Sequence, residues 1–144
     1  RPAPQRLLVG DIERAQEQAL VDNGAELAAD LLLVPHHGSK TSSSDAFIAA
    51  VAPRLALVQA GYRNRFGHPA PEVAARYTER GITLVQTPQC GAARWVSGQP
   101  QDMHCERQAG RRYWHHAVPD VEQEFPHLQS GAGTWGERRV AHGL

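Results

Sequence analysis

Four short apolar runs, each closed by glycine, proline or a polar residue, punctuate the first hundred residues. "QRLLVG" (5–10), "ADLLLVP" (29–35), "RLALVQAG" (54–61) and "ITLVQT" (82–87) are too short for buried helices and suit buried strands. Between them lie segments of helical character. "DIERAQEQALVDNG" is rich in helix formers and closes on Asn23-Gly24, with Gly24 as a C-terminal cap. "TSSSDAFIAAVAP" offers hydroxyls for an N-cap, apolar residues at Phe47, Ile48 and Val51, and a terminating Pro53. "PEVAARYTERG" opens with Pro71 near its first helical position and closes at Gly81. "AARWVSG" reads as a further strand, joined to "ITLVQT" through "PQCG" as a hairpin. The alternation predicts a layered α/β architecture with parallel strands up to Gly98.

After Gly98 the pattern fades. The remaining residues hold few aliphatics and scattered Gly, Pro, Gln and Arg, so 99–144 reads as a tail, helical around "ERQAGRRYWHH" and otherwise irregular or disordered. With 144 residues, 41% of them hydrophobic, the chain can bury one core. No stretch approaches the roughly 20 apolar residues of a membrane span, and the start has no signal-peptide core, so these residues are expected to be soluble. Arg1 stands where a methionine would open a gene product, which suggests a piece of a longer protein. Fifteen basic and fifteen acidic side chains cancel, which excludes a global basic field but not local cationic patches. Cys90 and Cys105 lack C-x-x-C spacing and read first as free, partly buried thiols, with one disulfide as the alternative.

Parallel strands align their carboxyl ends along one edge, and ligands of open α/β sheets bind there. Asp11 follows the first run, His36 and His37 the second, and a loop with Arg63, Asn64, Arg65 and His68 the third. Adjacent strands lie about 4.8 Å apart, so Asp11 and one imidazole could share a metal ion if their strands are neighbours. A carboxylate with histidines suits Zn, Mn or Fe better than Ca or Mg. Each residue also has a plainer role open to it: Asp11 as N-cap of a helix beginning at Ile12, the histidines as loop residues, and "YRNRF" as a solvated charged loop.

Taken in order, "LLVGDIE", "LLLVPHHGSKTSSS", "ALVQAGYRNRFGHPAPEV" and "GITLVQTPQCGA" resemble the C-terminal part of the metallo-β-lactamase-like domain that ends ComEC-type competence proteins, the DNA-uptake channels of naturally transformable bacteria. The resemblance covers roughly residues 5–95, and "CERQAGRRYWHH" is similar to the extreme C-terminus of such channels in some Gram-negative bacteria. It implies that residues 1–98 form the second half of an αββα sandwich holding one or two divalent ions, Zn or Mn. Asp11 would bind or bridge the metals and His37 would supply the last imidazole, with His36 supporting it or standing in as ligand. His68 would act beside the scissile phosphate as proton donor or charge stabiliser, so the implied catalytic set is Asp11, His37 and His68. Ser39, Lys40, Arg63, Asn64 and Arg65, with His68, would contact the substrate.

The implied activity is metal-dependent phosphodiester hydrolysis on DNA, degrading the strand that is not imported or processing single-stranded DNA. The superfamily's H-x-H-x-D-H ligand motif is absent from the 144 residues, so the chain alone is expected to bind metal poorly and hydrolyse little. Its expected partners are DNA, the N-terminal half of the same domain and the membrane channel of a parent protein, and an apolar face without that half would favour self-association. The implied location is a soluble domain on the extracytoplasmic side of a bacterial inner membrane. Two other readings stay open: a small-ester or thioester hydrolase of the same superfamily, and a DNA-guiding or docking module without metals.

Overall fold

In the computed structural model, which describes residues 4–110, the four apolar runs form one parallel sheet. Its strands are β1 (Arg6–Leu8), β2 (Leu31–Leu33), β3 (Leu55–Val58) and β4 (Thr83–Gln86), and their spatial order repeats their chain order. Every crossover therefore runs in the same direction, and right-handed crossovers then place all the intervening helices on one face. These are α1 (Arg14–Asp22), α2 (Asp45–Val51) and α3 (Pro71–Thr78).

The register decides which leucines meet them. Leu7, Leu32, Ala56 and Leu84 align across the four strands and pack against Phe47, Ile48 and Val51 of α2 and Val73 and Tyr77 of α3. The next row, Leu8, Leu33, Leu57 and Val85, turns to the opposite face because strand side chains alternate. Leu8, at the sheet edge, is 61% exposed. The fold is mixed α/β, with helices over one face of a parallel sheet and an apolar row on the other. Among the described residues no helix is long and apolar enough to cross a membrane.

Local chemistry sets the helix ends. The Ser44 hydroxyl accepts the Phe47 N–H at 3.4 Å, capping α2, and Pro71 occupies the first turn of α3. Asp11 is not the cap of α1. That helix starts at Arg14, with Glu13 at the cap position and its N–H donated to the Gln16 side chain at 3.1 Å, while Asp11 stays in the turn after β1.

The most confined polar contact joins α1 to the loop before α2. Glu17 has no accessible surface, and its carboxylate accepts the N–H of Ser43 at 2.6 Å and of Ser44 at 2.8 Å. Tyr77 donates its hydroxyl to Ser43 Oγ at 3.0 Å, and Arg76 donates to the carbonyls of Ser42 and Ser43 at 3.3 and 3.1 Å. Burial, aided by the Glu17 charge and opposed by the Ser43 hydrogen bond, pushes the Tyr77 phenol up to about 12.

Two expectations are overturned beyond β4. The segment after "ITLVQT" does not fold back on it, because Pro88 lies in the first turn of a short helix, α4 (Thr87–Cys90), and the Thr87 hydroxyl is bound to both the N–H and the carbonyl of Ala60. The hairpin instead joins β5 (Ala93–Trp95) to β6 (Met103–Cys105) antiparallel, followed by a short helix, α5 (Glu106–Ala109). That pairing sets Cys105 opposite Ala93 and beside Cys90, and the two cysteines form a disulfide rather than free thiols. The helix expected around residues 106–116 is present as α5 up to Ala109, and its continuation beyond 110 lies outside the described residues.

Glu17→Ala strips one buried and one partly buried N–H group of their acceptor and is expected to lower unfolding free energy by roughly 2–4 kcal/mol, with a smaller loss for Glu17→Gln, read from urea denaturation midpoints. Reducing the disulfide reopens a loop of 15 residues. It is expected to remove about 3 kcal/mol on chain-entropy grounds, seen as a lower thermal midpoint with reductant than without.

Candidate functional site

Because β1 and β2 are parallel neighbours, the turns that follow them leave the same sheet edge side by side. The His36 N–H donates to the Gly10 carbonyl at 3.1 Å and ties the two turns together. In the turn Pro35–Gly38, His36, His37 and Gly38 all take left-handed backbone angles, with φ of 49°, 55° and 81°. For the two histidines this costs on the order of 1 kcal/mol each. Ser42 holds the turn by donating its hydroxyl to the Pro35 carbonyl at 2.9 Å, and the Ser39 N–H closes on the His36 carbonyl at 2.9 Å.

The His37 ring is oriented by a backbone group. Its Nδ1 lies 2.7 Å from the Gln59 carbonyl at the end of β3. A carbonyl only accepts, so Nδ1 carries the hydrogen and Nε2 of the neutral ring presents its lone pair. Nε2 faces Asp11 Oδ1 at 3.6 Å. A lone pair opposite a carboxylate is repulsive unless a proton or a cation lies between them, and both side chains are open to solvent, 49% and 68% exposed. His36 turns the other way. Its Nδ1 is buried 3.3 Å from Glu13 Oε1 yet makes no aligned hydrogen bond, while the same oxygen accepts the Thr41 hydroxyl at 2.9 Å.

A third element closes the site. The Asn64 side chain clasps the loop between β3 and α3, donating to the carbonyls of Gly61 and His68 at 3.2 and 2.7 Å and accepting the His68 N–H at 2.8 Å. A Cβ on Gly38 would meet Pro69 Cβ at 2.6 Å and Pro69 Cα at 3.0 Å, and the Ala70 N–H donates to the Gly38 carbonyl at 2.8 Å. Only glycine lets the two loops touch. The contact brings the His68 ring to 6.4 Å from that of His36. His68 is held below the usual histidine range, first by burial and then by the neighbouring His36 and His37, and its Nδ1 is buried without a hydrogen-bond partner.

The structure thus gathers Asp11, His36, His37 and His68 at one edge. The expected substrate contacts are more scattered. The Ser39 hydroxyl engages Thr41 at 3.2 Å within its own turn, Lys40 is drawn toward Glu72 at 3.4 Å, and Asn64 is committed to its loop. Arg63 and Arg65 are exposed beside Tyr62 and Phe66. Sequence reading passed over Glu13, which stands two residues after Asp11, and Gln59, whose part is played by a backbone carbonyl that no side-chain pattern reveals. A cleft of about 650 Å³ opens elsewhere, between β4 and the β5–β6 hairpin. Asp102 is its one charged lining residue, so the chemistry points to the histidine edge instead.

The Asp11–His37 pair fits a divalent ion in kind: one carboxylate, and one imidazole whose far nitrogen is fixed by a carbonyl, the arrangement usual for metal-bound histidine. It does not suffice in number. Among the described residues no three His, Cys, Asp or Glu side chains converge on one point, so the pair alone falls short of the usual number of metal ligands.

No protein-family model matches the chain. Its sequence is similar to stretches of bacterial competence proteins. It is 38% identical over 94 residues, 65% of this chain, to Competence protein ComA of Neisseria gonorrhoeae, covering 14% of that protein. It is 35% identical over 89 residues to ComE operon protein 3 of Bacillus subtilis, covering 62% of this chain and 12% of that protein. To Recombination protein 2 of Haemophilus influenzae it is 37% identical over 70 residues, 49% of this chain and 9% of that one. The chain therefore spans no more than about a seventh of these relatives' length.

With its folded pKa below the ordinary 6.5, His68 takes up its proton later than the unfolded chain does as pH falls. Stability from this group is therefore expected to decline from about pH 6.5 down to the folded value and to level off beneath it. Urea unfolding across a pH series should show that decline flattened in His68→Gln. Gly38→Ala should push the loops apart, lower stability by about 2 kcal/mol or more, and return the His68 NMR titration midpoint toward 6.5.

Proposed function

We propose that the chain is the C-terminal part of a metal-dependent hydrolase domain that acts on DNA during competence. The observation that carries this reading is the Asp11–His37 pair, an imidazole lone pair aimed at a carboxylate across a solvent-open gap that suits a cation. Similarity to proteins named for competence supports the DNA-uptake setting. The two-layer arrangement supports one half of a metallo-β-lactamase-like αββα sandwich, since the sheet face away from the helices carries Leu8, Leu33, Leu57 and Val85, a row suited to a partner sheet. The ligands this half lacks would come from an H-x-H-x-D-H segment in a parent protein.

In that domain Asp11 and His37 would hold the ion, with His36 and Glu13 beside them. Bound there, a divalent ion would supply the Lewis acidity that makes a hydroxide nucleophile available near neutral pH and offsets charge on phosphate. Gln59 keeps the His37 ring from rotating away. His68, whose pKa burial and the neighbouring imidazoles lower, would offer a ring N–H to a phosphate oxygen and stabilise charge there. Arg63, Arg65 and Lys40 attract the phosphate backbone without reading sequence, as a degradative nuclease requires. The Cys90–Cys105 disulfide favours an oxidising compartment and hence the extracytoplasmic side of the membrane.

A DNA-guiding module without metal is the second reading, and the exposed Arg63 and Arg65 beside Tyr62 and Phe66 suit it. The two separate on a protein extended to include an H-x-H-x-D-H segment. Asp11→Ala and His37→Ala should each lower DNA cleavage by at least about a hundredfold while leaving DNA binding intact. No cleavage by the extended parent would favour the guiding module, and unchanged cleavage in both variants would overturn the roles of Asp11 and His37. The 144-residue chain itself, dialysed against Zn or Mn, is expected to retain well under one equivalent by elemental analysis, and a stoichiometric, tightly held ion would contradict the expected shortage of ligands.

A further inference from the structure

The loop between β3 and α3 leaves large aromatic rings in water where a purely structural loop would not need them. Phe66 is 66% exposed and Tyr62 42% exposed, although each neighbours an arginine. The Arg65 guanidinium lies over the Phe66 ring at 4.8 Å from its centroid, and that of Arg63 over Tyr62 at 5.2 Å. Phe66 also stacks on His68, with centroids 5.8 Å apart and an interplanar angle of 17°. The site histidine, phenylalanine and arginine therefore follow one another outward from the site, because the His68 ring in turn lies 6.4 Å from that of His36.

The loop is built to hold this shape. Asn64 makes three hydrogen bonds across it, and the contact of Gly38 with Pro69 docks its far end. From Gln59 to Pro71 the chain carries two arginines, a histidine and two aromatics, and no Asp or Glu. A protein-docking patch of this exposure would gain from aliphatics around the rings, and here the neighbours are guanidinium groups. Planar rings with adjacent cations are the elements that hold single-stranded nucleic acid, the rings stacking on base faces and the arginines meeting phosphates.

We propose that Tyr62–Phe66 is a base-stacking step that seats one or two unpaired nucleotides of a single-stranded nucleic acid next to His68, with Phe66 as the principal platform and Arg65 and Arg63 as the phosphate contacts. The inference rests on the nucleic-acid reading above. Single-stranded DNA is already among its expected substrates, so what is new is the seat of that strand and the division of roles within the loop: Asn64 shapes it, the arginines give affinity that depends on salt, and Phe66 gives affinity that depends on the presence of a base.

The test compares two fluorescent oligonucleotides of equal length, oligo(dT) and its abasic counterpart with the same phosphates, binding to the 144-residue chain by anisotropy. Phe66→Ala should weaken oligo(dT) binding between about fivefold and a hundredfold, the range for losing one stacked base, and leave the abasic strand unaffected. Arg65→Ala should weaken both and reduce the slope of log affinity against log salt by about one. If the wild-type chain binds oligo(dT) and Phe66→Ala binds it equally well, or weakens both strands alike, the stacking step is wrong while the nucleic-acid reading stands. A Phe66→Ala change that alters sedimentation and not DNA affinity overturns it in favour of a protein contact. If the wild-type chain binds neither strand, both readings fall. Circular dichroism of Phe66→Ala, an exposed substitution, should match that of the wild type and so exclude misfolding as the cause.

Discussion

The buried carboxylate of Glu17 is the contact on which the geometry of the site depends. A fully buried acid is unfavourable unless it is satisfied, and Glu17 is satisfied by the two backbone N–H groups that open the segment before α2. That ties α1 to the chain leaving the histidine turn, while Tyr77 of α3 donates to Ser43 Oγ and Arg76 to the carbonyls of Ser42 and Ser43. Ser42, held in place by these bonds, reaches back to the Pro35 carbonyl. The Glu17 carboxylate and the Arg76 guanidinium thus tie α1 and α3 to the segment that leaves the turn carrying His36 and His37, and Ser42 links that segment back to the turn.

The chemistry at the strand ends follows from adjacency in the sheet. Parallel pairing of β1 with β2 brings the Asp11 turn beside the histidine turn, and pairing of β2 with β3 brings the Gln59 carbonyl to the His37 ring. The imidazole is therefore held from behind by one strand and faces a carboxylate from another. His68 joins through a different device, the close approach of Gly38 and Pro69, which no side chain other than hydrogen permits. Three strand ends and one glycine contact make an edge where three imidazoles and two carboxylates, Asp11 and Glu13, stand within a few ångströms of their nearest neighbours.

Much of this was legible in the chain. The leucine and valine runs mark all four parallel strands because buried strands need continuous apolar sequence, and the glycines and prolines mark the turns. Asp11 and His37 stood out because each follows such a run. Glu17 did not, since a glutamate in "ERAQEQ" reads as solvated surface and only the tertiary position of Ser43 and Ser44 buries it. The β5–β6 hairpin was also hidden. "AARWVSG" marks β5, but β6 is three residues long, too short for alternation to register, and the disulfide that joins the segment to α4 depends on their pairing. The role of Gly38 could not be read either, because it arises from a loop thirty residues further on.

The central claim is that His37 is fixed with Nδ1 protonated against Gln59 and Nε2 turned, unprotonated, toward Asp11. Long-range proton–nitrogen NMR correlation on the metal-free chain, at a pH well above the ordinary histidine value of about 6.5, reads that tautomer directly. The account predicts the hydrogen on Nδ1 and a lone pair on Nε2. A ring protonated on Nε2 instead, hydrogen-bonded to Asp11 and with nothing left to offer a cation, would contradict it.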